Sequence, residues 1–256
     1  MTVPLALALA AALGTGPPGA GDRSVYRIDP AVDGAILAAS SLAIALPWLL
    51  EDRIIDLRCP CDRSEVPRWE RFAIGLESPA ADFASNATVA LSALLPPAVG
   101  LLHLGWSRAW VEDLVVFAEA LAVNGALVTA VKYAVQRPIP LAYAGDPAWV
   151  REPGSYRAFY SGHVSTAVAA LTAAAWTARL RRGEEVWPWL AVAAVGVSVA
   201  VERVAGGHHF PSDVVVGAAA GFAVGTAVPL LHARRRVGRP VAIAPWGRGV
   251  ALVGRF

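Results

Sequence analysis

The chain alternates long apolar runs with short polar breaks. A helix needs about 20 predominantly apolar residues to cross the hydrocarbon core of a bilayer. Six runs approach that length: 31–50, 81–104, 110–135, 164–180, 186–201 and 214–231. Glu51 and Asp52 close the first, Arg181 and Arg182 the fourth, and Arg234, Arg235 and Arg236 the sixth. Backbone polar groups find no partner in lipid, so runs of this kind are predicted to be helices. The Pro96-Pro97 pair is expected to bend the second. The small residues of "GAAAGFAVG" in the sixth suit close helix–helix packing.

This pattern predicts an all-α fold, a polytopic membrane helical bundle of about six transmembrane helices. Three regions follow: a signal-like or extra apolar segment over 1–22, a membrane-embedded domain over 23–236, and a tail over 237–256. The tail alternates around a Pro-Trp-Gly turn and reads as a β-hairpin. Composition agrees with the membrane class. Of the 256 residues, 56% are hydrophobic and 16% charged, against about 45–50% and 25% in soluble domains. The net charge of +2 is too mild for a nucleic-acid binder.

Basic loops set the orientation. Arg179, Arg181 and Arg182 join the fourth and fifth runs, and Arg234, Arg235, Arg236 and Arg239 follow the sixth. Both segments lie on one side, which reads as cytoplasmic. The connections between runs one and two, three and four, and five and six then face outward.

Those outward breaks hold the reactive side chains. Lys132, the single lysine of the chain, and Arg137 end the third run. Ser161, Gly162 and His163 open the fourth. Arg203, His209 and Asp213 lie between the fifth and sixth. Charged groups at a membrane helix end often only snorkel. Three chemically different breaks on one face argue instead for an assembled site. Lysine and arginine bind an oxyanion. A helix start at Ser161-Gly162-His163 offers free N–H groups to an anion. Two histidines can divide nucleophile and general-acid roles, and Asp213 can orient one of them. No dense carboxylate cluster for magnesium accompanies them. The neighbouring cations disfavour zinc on His163, His208 and His209. The expectation is therefore phosphoryl transfer without cofactor or metal.

These three stretches resemble the signature of the type 2 phosphatidic acid phosphatase (PAP2) superfamily: K-x6-R-P, then P-S-G-H, then S-R-x5-H-x3-D. Here they read Lys132 with Ile139-Pro140, Tyr160-Ser161-Gly162-His163, and Glu202-Arg203 with His209 and Asp213. The resemblance covers about residues 110–231 and implies a PAP2/haloperoxidase-like helical core. It implies a lipid phosphatase in which His209 attacks phosphorus, Asp213 orients it and His163 protonates the leaving oxygen. Lys132, Ser161, the Gly162 amide and Arg203 would hold the phosphoryl oxygens. Tyr160 and Glu202 depart from the pattern at flanking positions. Ile139 removes a phosphate-binding arginine, and Arg137, two residues earlier, is the expected substitute.

The implied substrate is a phosphorylated membrane lipid: undecaprenyl diphosphate, phosphatidic acid, phosphatidylglycerophosphate or lipid A phosphate. The implied setting is a bacterial inner membrane with the site facing the periplasm. Two rivals are a non-catalytic phospholipid-binding protein, weakened through Ile139, and a vanadate-dependent haloperoxidase. His208 is read as a bystander. Glu112 and Asp113 are read as solvated helix-start acids, and Glu119 and Asn124 as internal hydrogen-bonding groups. His103 and His232 fall toward the opposite membrane face. Tyr156 is grouped with the tryptophans as an interfacial anchor, and Cys59 and Cys61 are read as loop thiols, with a disulfide as the lesser alternative.

Overall fold

A computed structural model of the chain describes residues 24–183, 186–234, 242–246 and 249–253. The whole 1–22 segment expected to be signal-like, and parts of the tail, lie outside the described residues. Among the described residues, six long helices make up the body: α1 (Pro30–Leu49), α2 (Pro79–Leu104), α3 (Arg108–Val135), α4 (Gly162–Arg182), α5 (Trp187–Ala205) and α6 (Pro211–His232). Within the tail, β1 (Ala242–Trp246) pairs antiparallel with β2 (Gly249–Val253).

Local chemistry marks the helix starts. Asp29, Ser78, Ser107 and Ser161 accept from backbone N–H groups at the starts of α1 to α4, which satisfies donors that a first turn otherwise leaves free. Pro30, Pro79 and Pro211 occupy first-turn positions, where a missing N–H costs nothing. α2 is assigned as one continuous helix through Pro96 and Pro97, and the Trp110 indole N–H donates to the Pro97 carbonyl at 3.0 Å.

Helices α1, α2, α3, α5 and α6 are long and apolar enough to cross a membrane. α4 is different. It has 21 residues, about 31 Å at the rise of an α-helix, yet carries Ser165, Thr166, Thr172 and Thr177 along its length. It sits in the middle of the bundle, packed against α2, α3, α5 and α6. Two of these groups are bonded within protein: Ser165 donates to Asn124 Oδ1 at 2.5 Å, and Thr177 to the Ala173 carbonyl at 2.9 Å. The Asn124 contact agrees with its expected role. Apolar side chains of α4 and α5, Val164, Val168, Leu171, Val195 and Val199 among them, form the largest buried cluster.

The α4–α6 contact explains the small residues of α6. A Cβ placed on Gly217, Gly221 or Gly225 would stand 2.7, 2.2 or 2.5 Å from the carbonyl oxygen of Ser161, Ser165 or Ala169. Two matched rows at four-residue spacing let the backbones approach to contact, a small-residue interface of the membrane type.

Three expectations are corrected by burial. Glu112 is buried, with Arg108 Nε 2.9 Å from its carboxylate, and Asp113 is bonded by Arg181 at 2.6 and 2.7 Å. Asp113 thus ties the start of α3 to the end of α4, while the Glu112 pair lies within the first turns of α3. Tyr156 is fully buried, donating to the Val150 carbonyl at 2.9 Å and accepting from the Cys59 N–H at 3.1 Å. Cys59 and Cys61 are joined in a disulfide.

Candidate active site

The six helices run alternately, so the ends of α1, α3 and α5 meet the starts of α2, α4 and α6 at one end of the bundle. A cavity of about 400 Å³ opens there. Of the residues singled out by sequence, Lys132, Gly162, His163, Arg203 and His209 line it; Arg137, Ser161 and Asp213 are not among its lining residues.

Each lining group is fixed by its element. Lys132 lies in the last turn of α3 and donates to the Arg157 carbonyl. Arg203, in the last turn of α5, reaches the first turns of α2, donating to the Asp82 carboxylate and, at 3.2 Å, to Ser85 Oγ. Its Nε is buried without a hydrogen-bond partner. His163 Nε2 is 2.6 Å from Asn86 Oδ1, and Asn86 Nδ2 donates to Asp82 Oδ2 at 3.3 Å. The donor on this pair is assigned from the network: the amide Nδ2 is committed to Asp82, so Oδ1 accepts a proton from His163 Nε2.

His209 is buried, and Asp213 Oδ2 lies 3.7 Å from its Nδ1, too long for a hydrogen bond; that nitrogen makes none. Burial, followed by the charges of Lys132 and Arg203, holds the His209 pKa well below its ordinary value, so the ring is neutral at neutral pH. Gly207 shapes the approach. Its φ is +75°, and a Cβ there would stand 2.0 Å from the Leu76 carbonyl oxygen. Glycine adopts this backbone without steric cost, which brings the loop onto its neighbours and turns His209 inward. His208, read as a bystander, also lines the cavity, with Nε2 3.2 Å from Asp82 Oδ1 and its ring edge-on to Trp149.

Asp213 sits in the first turn of α6. Its Oδ2 accepts from the Phe210 N–H at 2.8 Å, the reach-back of an acidic residue at the third helical position, and its Oδ1 accepts from Arg137 Nη1 at 2.6 Å. Arg137 Nη2 donates to Glu70 Oε2 at 2.8 Å, Glu70 Oε1 accepts from the Ser212 N–H at 2.7 Å, and the guanidinium covers the Phe210 ring at 4.2 Å. The expected substitute for the missing motif arginine is therefore held behind the site between two carboxylates. Ser161 is also behind it. It caps α4, is fully buried, and donates its N–H to the Asp213 carbonyl at 3.0 Å.

The cavity holds a cation that sequence reasoning missed. Arg157 lines it beside Ile139 and Gly154. Ile139 N–H donates to the Ser155 carbonyl, and Ala158 N–H to the Arg137 carbonyl, both at 2.8 Å. These bonds pair the segment carrying Ile139 with the segment carrying Arg157. The Arg157 guanidinium rests 3.2 Å from Glu51 Oε1 and 5.4 Å from the Trp48 ring centroid, and a Cβ on Gly154 would come within 3.1 Å of it. Position in sequence gives no hint of this, because Arg157 belongs to no motif. Asp82, Asn86 and Glu70 were equally invisible, since each acts through a partner more than 60 residues away.

The bundle thus carries a cationic cavity lined by three histidines at one end. The model of the PAP2 superfamily matches residues 113–236, the segment from α3 through α6. The chain is also similar to the lipid A 1-phosphatase of Porphyromonas gingivalis, at 32% identity over 128 residues. That match covers 49% of this chain and 25% of the relative, so it spans about a quarter of the relative's length. No solved structure matches the chain.

Proposed function

We propose that the protein is a phosphatase of membrane lipids, hydrolysing a phosphomonoester or diphosphate through a phosphohistidine at His209. The observation that carries this reading is the grouping of His163 and His209 with three cations, Lys132, Arg157 and Arg203, around one cavity. His209 attacks phosphorus through Nε2 as the bond to the leaving oxygen breaks, and His163, protonated on both ring nitrogens once the anionic phosphate lies beside it, lets go of Asn86 Oδ1 and gives its Nε2 proton to that oxygen. Water then attacks the phosphohistidine, giving its proton to His163, and the P–N bond breaks to release phosphate. Asp213 stabilises the His209 ring, their 3.7 Å separation closing on substrate binding, as catalytic contacts often do.

Lys132, Arg157, Arg203 and the Gly162 N–H hold the phosphoryl oxygens. Arg157 takes the place left by Ile139, delivered from the segment paired with it. Ser161 acts as the cap that aims Gly162 and His163, and Arg137 holds Asp213. The residues need no metal or cofactor for these steps.

A cavity at the ends of membrane helices faces the headgroup region, which favours a lipid substrate. The similarity to a lipid A 1-phosphatase supports lipid A phosphate within a test panel that also holds undecaprenyl diphosphate, phosphatidic acid and phosphatidylglycerophosphate. The clean basic segments at the opposite end support a site on the periplasmic face of a bacterial inner membrane. Phosphate release over this lipid panel, from wild type and His209→Ala, tests the function. Release by wild type alone supports it. No release by wild type on any lipid leaves the binding-protein reading in its place.

A further inference from the structure

The end of the bundle opposite the cavity holds titratable side chains that the phosphatase chemistry does not use. Asp33 lies in the first turn of α1, Glu119 inside α3, and His232 at the end of α6. One ligand atom from each lies within 4.8 Å of the others. His232 Nε2 is 3.3 Å from Asp33 Oδ1 and 3.5 Å from Glu119 Oε2. The Asp33 and Glu119 side chains are 5% and 4% exposed, so solvent does not satisfy their charge.

Hydrogen bonds define what each atom presents. His232 Nδ1 lies 2.9 Å from the Val228 carbonyl oxygen. A carbonyl only accepts, so Nδ1 carries a proton, and once Nε2 gives up its own the ring presents an Nε2 lone pair between the two carboxylates. Ligating histidines are oriented in this way, the second nitrogen donating to a backbone carbonyl. Asp33 Oδ2 is occupied by the Asp29 N–H at 2.8 Å, leaving Oδ1 inward. Glu119 Oε2 is buried with no hydrogen-bond partner. Three acceptors thus converge, and a divalent cation answers all three at once.

The separations select the class of ion. Ligands about 2.0–2.1 Å from a tetrahedral centre lie about 3.3–3.4 Å apart, close to both distances from His232 Nε2. An imidazole with two carboxylates suits a zinc-class ion, whereas calcium takes six to eight oxygens. We propose that Asp33, Glu119 and His232 form a divalent metal site of the zinc class, with a fourth position open to water. Glu119 and Lys132 are separated by about 20 Å along one helix at 1.5 Å per residue, so the metal acts on structure and not on phosphoryl transfer. It pins the start of α1, which packs chiefly on α3, to α3 and α6. Just beyond it, the Arg27 N–H donates to the His232 carbonyl at 2.8 Å.

The full-length protein in detergent, stripped with chelator, is titrated with Co²⁺ and then Zn²⁺. Wild type is expected to bind one Co²⁺ per chain with the intense visible bands of a four-coordinate centre, bleached by one equivalent of Zn²⁺. His232→Ala and the near-isosteric Glu119→Gln are expected to lose the bands and weaken Zn²⁺ binding at least 100-fold. A His208→Ala/His209→Ala double variant, which removes two histidines of the cavity, is expected to keep them. If His232→Ala does not fold, Glu119→Gln and wild type still decide. A wild type without bands overturns the proposal and leaves His232 as an imidazolium between two carboxylates. Bands that survive Glu119→Gln, or vanish in the cavity variant, also overturn it.

Discussion

Arg137 Nη1 lies 2.6 Å from Asp213 Oδ1, and this contact removes the arginine from the cavity its sequence position suggests. The Asp213 side chain is fully buried and that of Arg137 only 18% exposed. Breaking a buried pair from one side costs about 3–5 kcal/mol, because the remaining charge is left uncompensated. Arg137→Gln is expected to lower stability by about 3 kcal/mol, read as the shift in thermal midpoint in detergent. A phosphate ligand would raise KM; a residue acting through Asp213 is expected to lower kcat with KM little changed. A variant of wild-type stability with raised KM contradicts this assignment.

Arg157 carries the opposite expectation. Its partners are Glu51, the ring of Tyr133 and the ring of Trp48, which lines the cavity. Arg157→Ala is expected to reduce kcat/KM by about 10²–10³, the range for one lost oxyanion donor, with a much smaller change in thermal midpoint. Adding Ile139→Arg to Arg157→Ala is expected to restore part of the loss, since the two positions lie on paired segments. Wild-type kcat/KM in Arg157→Ala would remove Arg157 from the site.

The pH profile follows from His209. Burial and the nearby cations lower its pKa, so the neutral nucleophile persists below pH 6.5, the ordinary histidine value. Activity is lost only as pH falls through the lowered value and the imidazolium forms. The acid limb of kcat/KM is therefore expected below pH 6.5, measured on a substrate whose own ionisation is known. An acid limb at or above pH 6.5 would contradict the environment described for this ring.

Helix contact gives a test separate from chemistry. At Gly221 a Cβ meets the Ser165 carbonyl oxygen at 2.2 Å, whereas at Gly34 in α1 nothing lies within 4 Å. Gly221→Ala is expected to destabilise by at least the ~1–3 kcal/mol of an overpacked core. Gly34→Ala is expected to be neutral or to gain the ~0.5–1 kcal/mol of alanine over glycine in a helix. Thermal midpoints of the two variants check the contrast, and equal effects would refute the close α4–α6 approach.

Much of this architecture was legible in the sequence because lipid imposes a simple rule on it. Runs of apolar residues gave six helices, and alternation brought Lys132, His163, Arg203 and His209 to one end. What was not legible depends on pairing across the fold. Arg137 and Arg157 are equivalent as letters; only Glu70 and Asp213, brought in by distant segments, decide that one is committed behind the site and the other faces it. Glu112 looked like a solvated helix-start acid because its burial comes from chain segments far from it in sequence. Asn86, which holds His163 at 2.6 Å, sits in an apolar run where nothing but the folded contact distinguishes it.

The central claim is that His209 receives the phosphoryl group. Wild type quenched during turnover of a lipid phosphate, followed by phosphopeptide mapping at alkaline pH, tests it most directly. The account predicts an acid-labile phosphohistidine at position 209, absent from His209→Ala. A phosphoryl group on another residue, or turnover retained by His209→Ala, would contradict it.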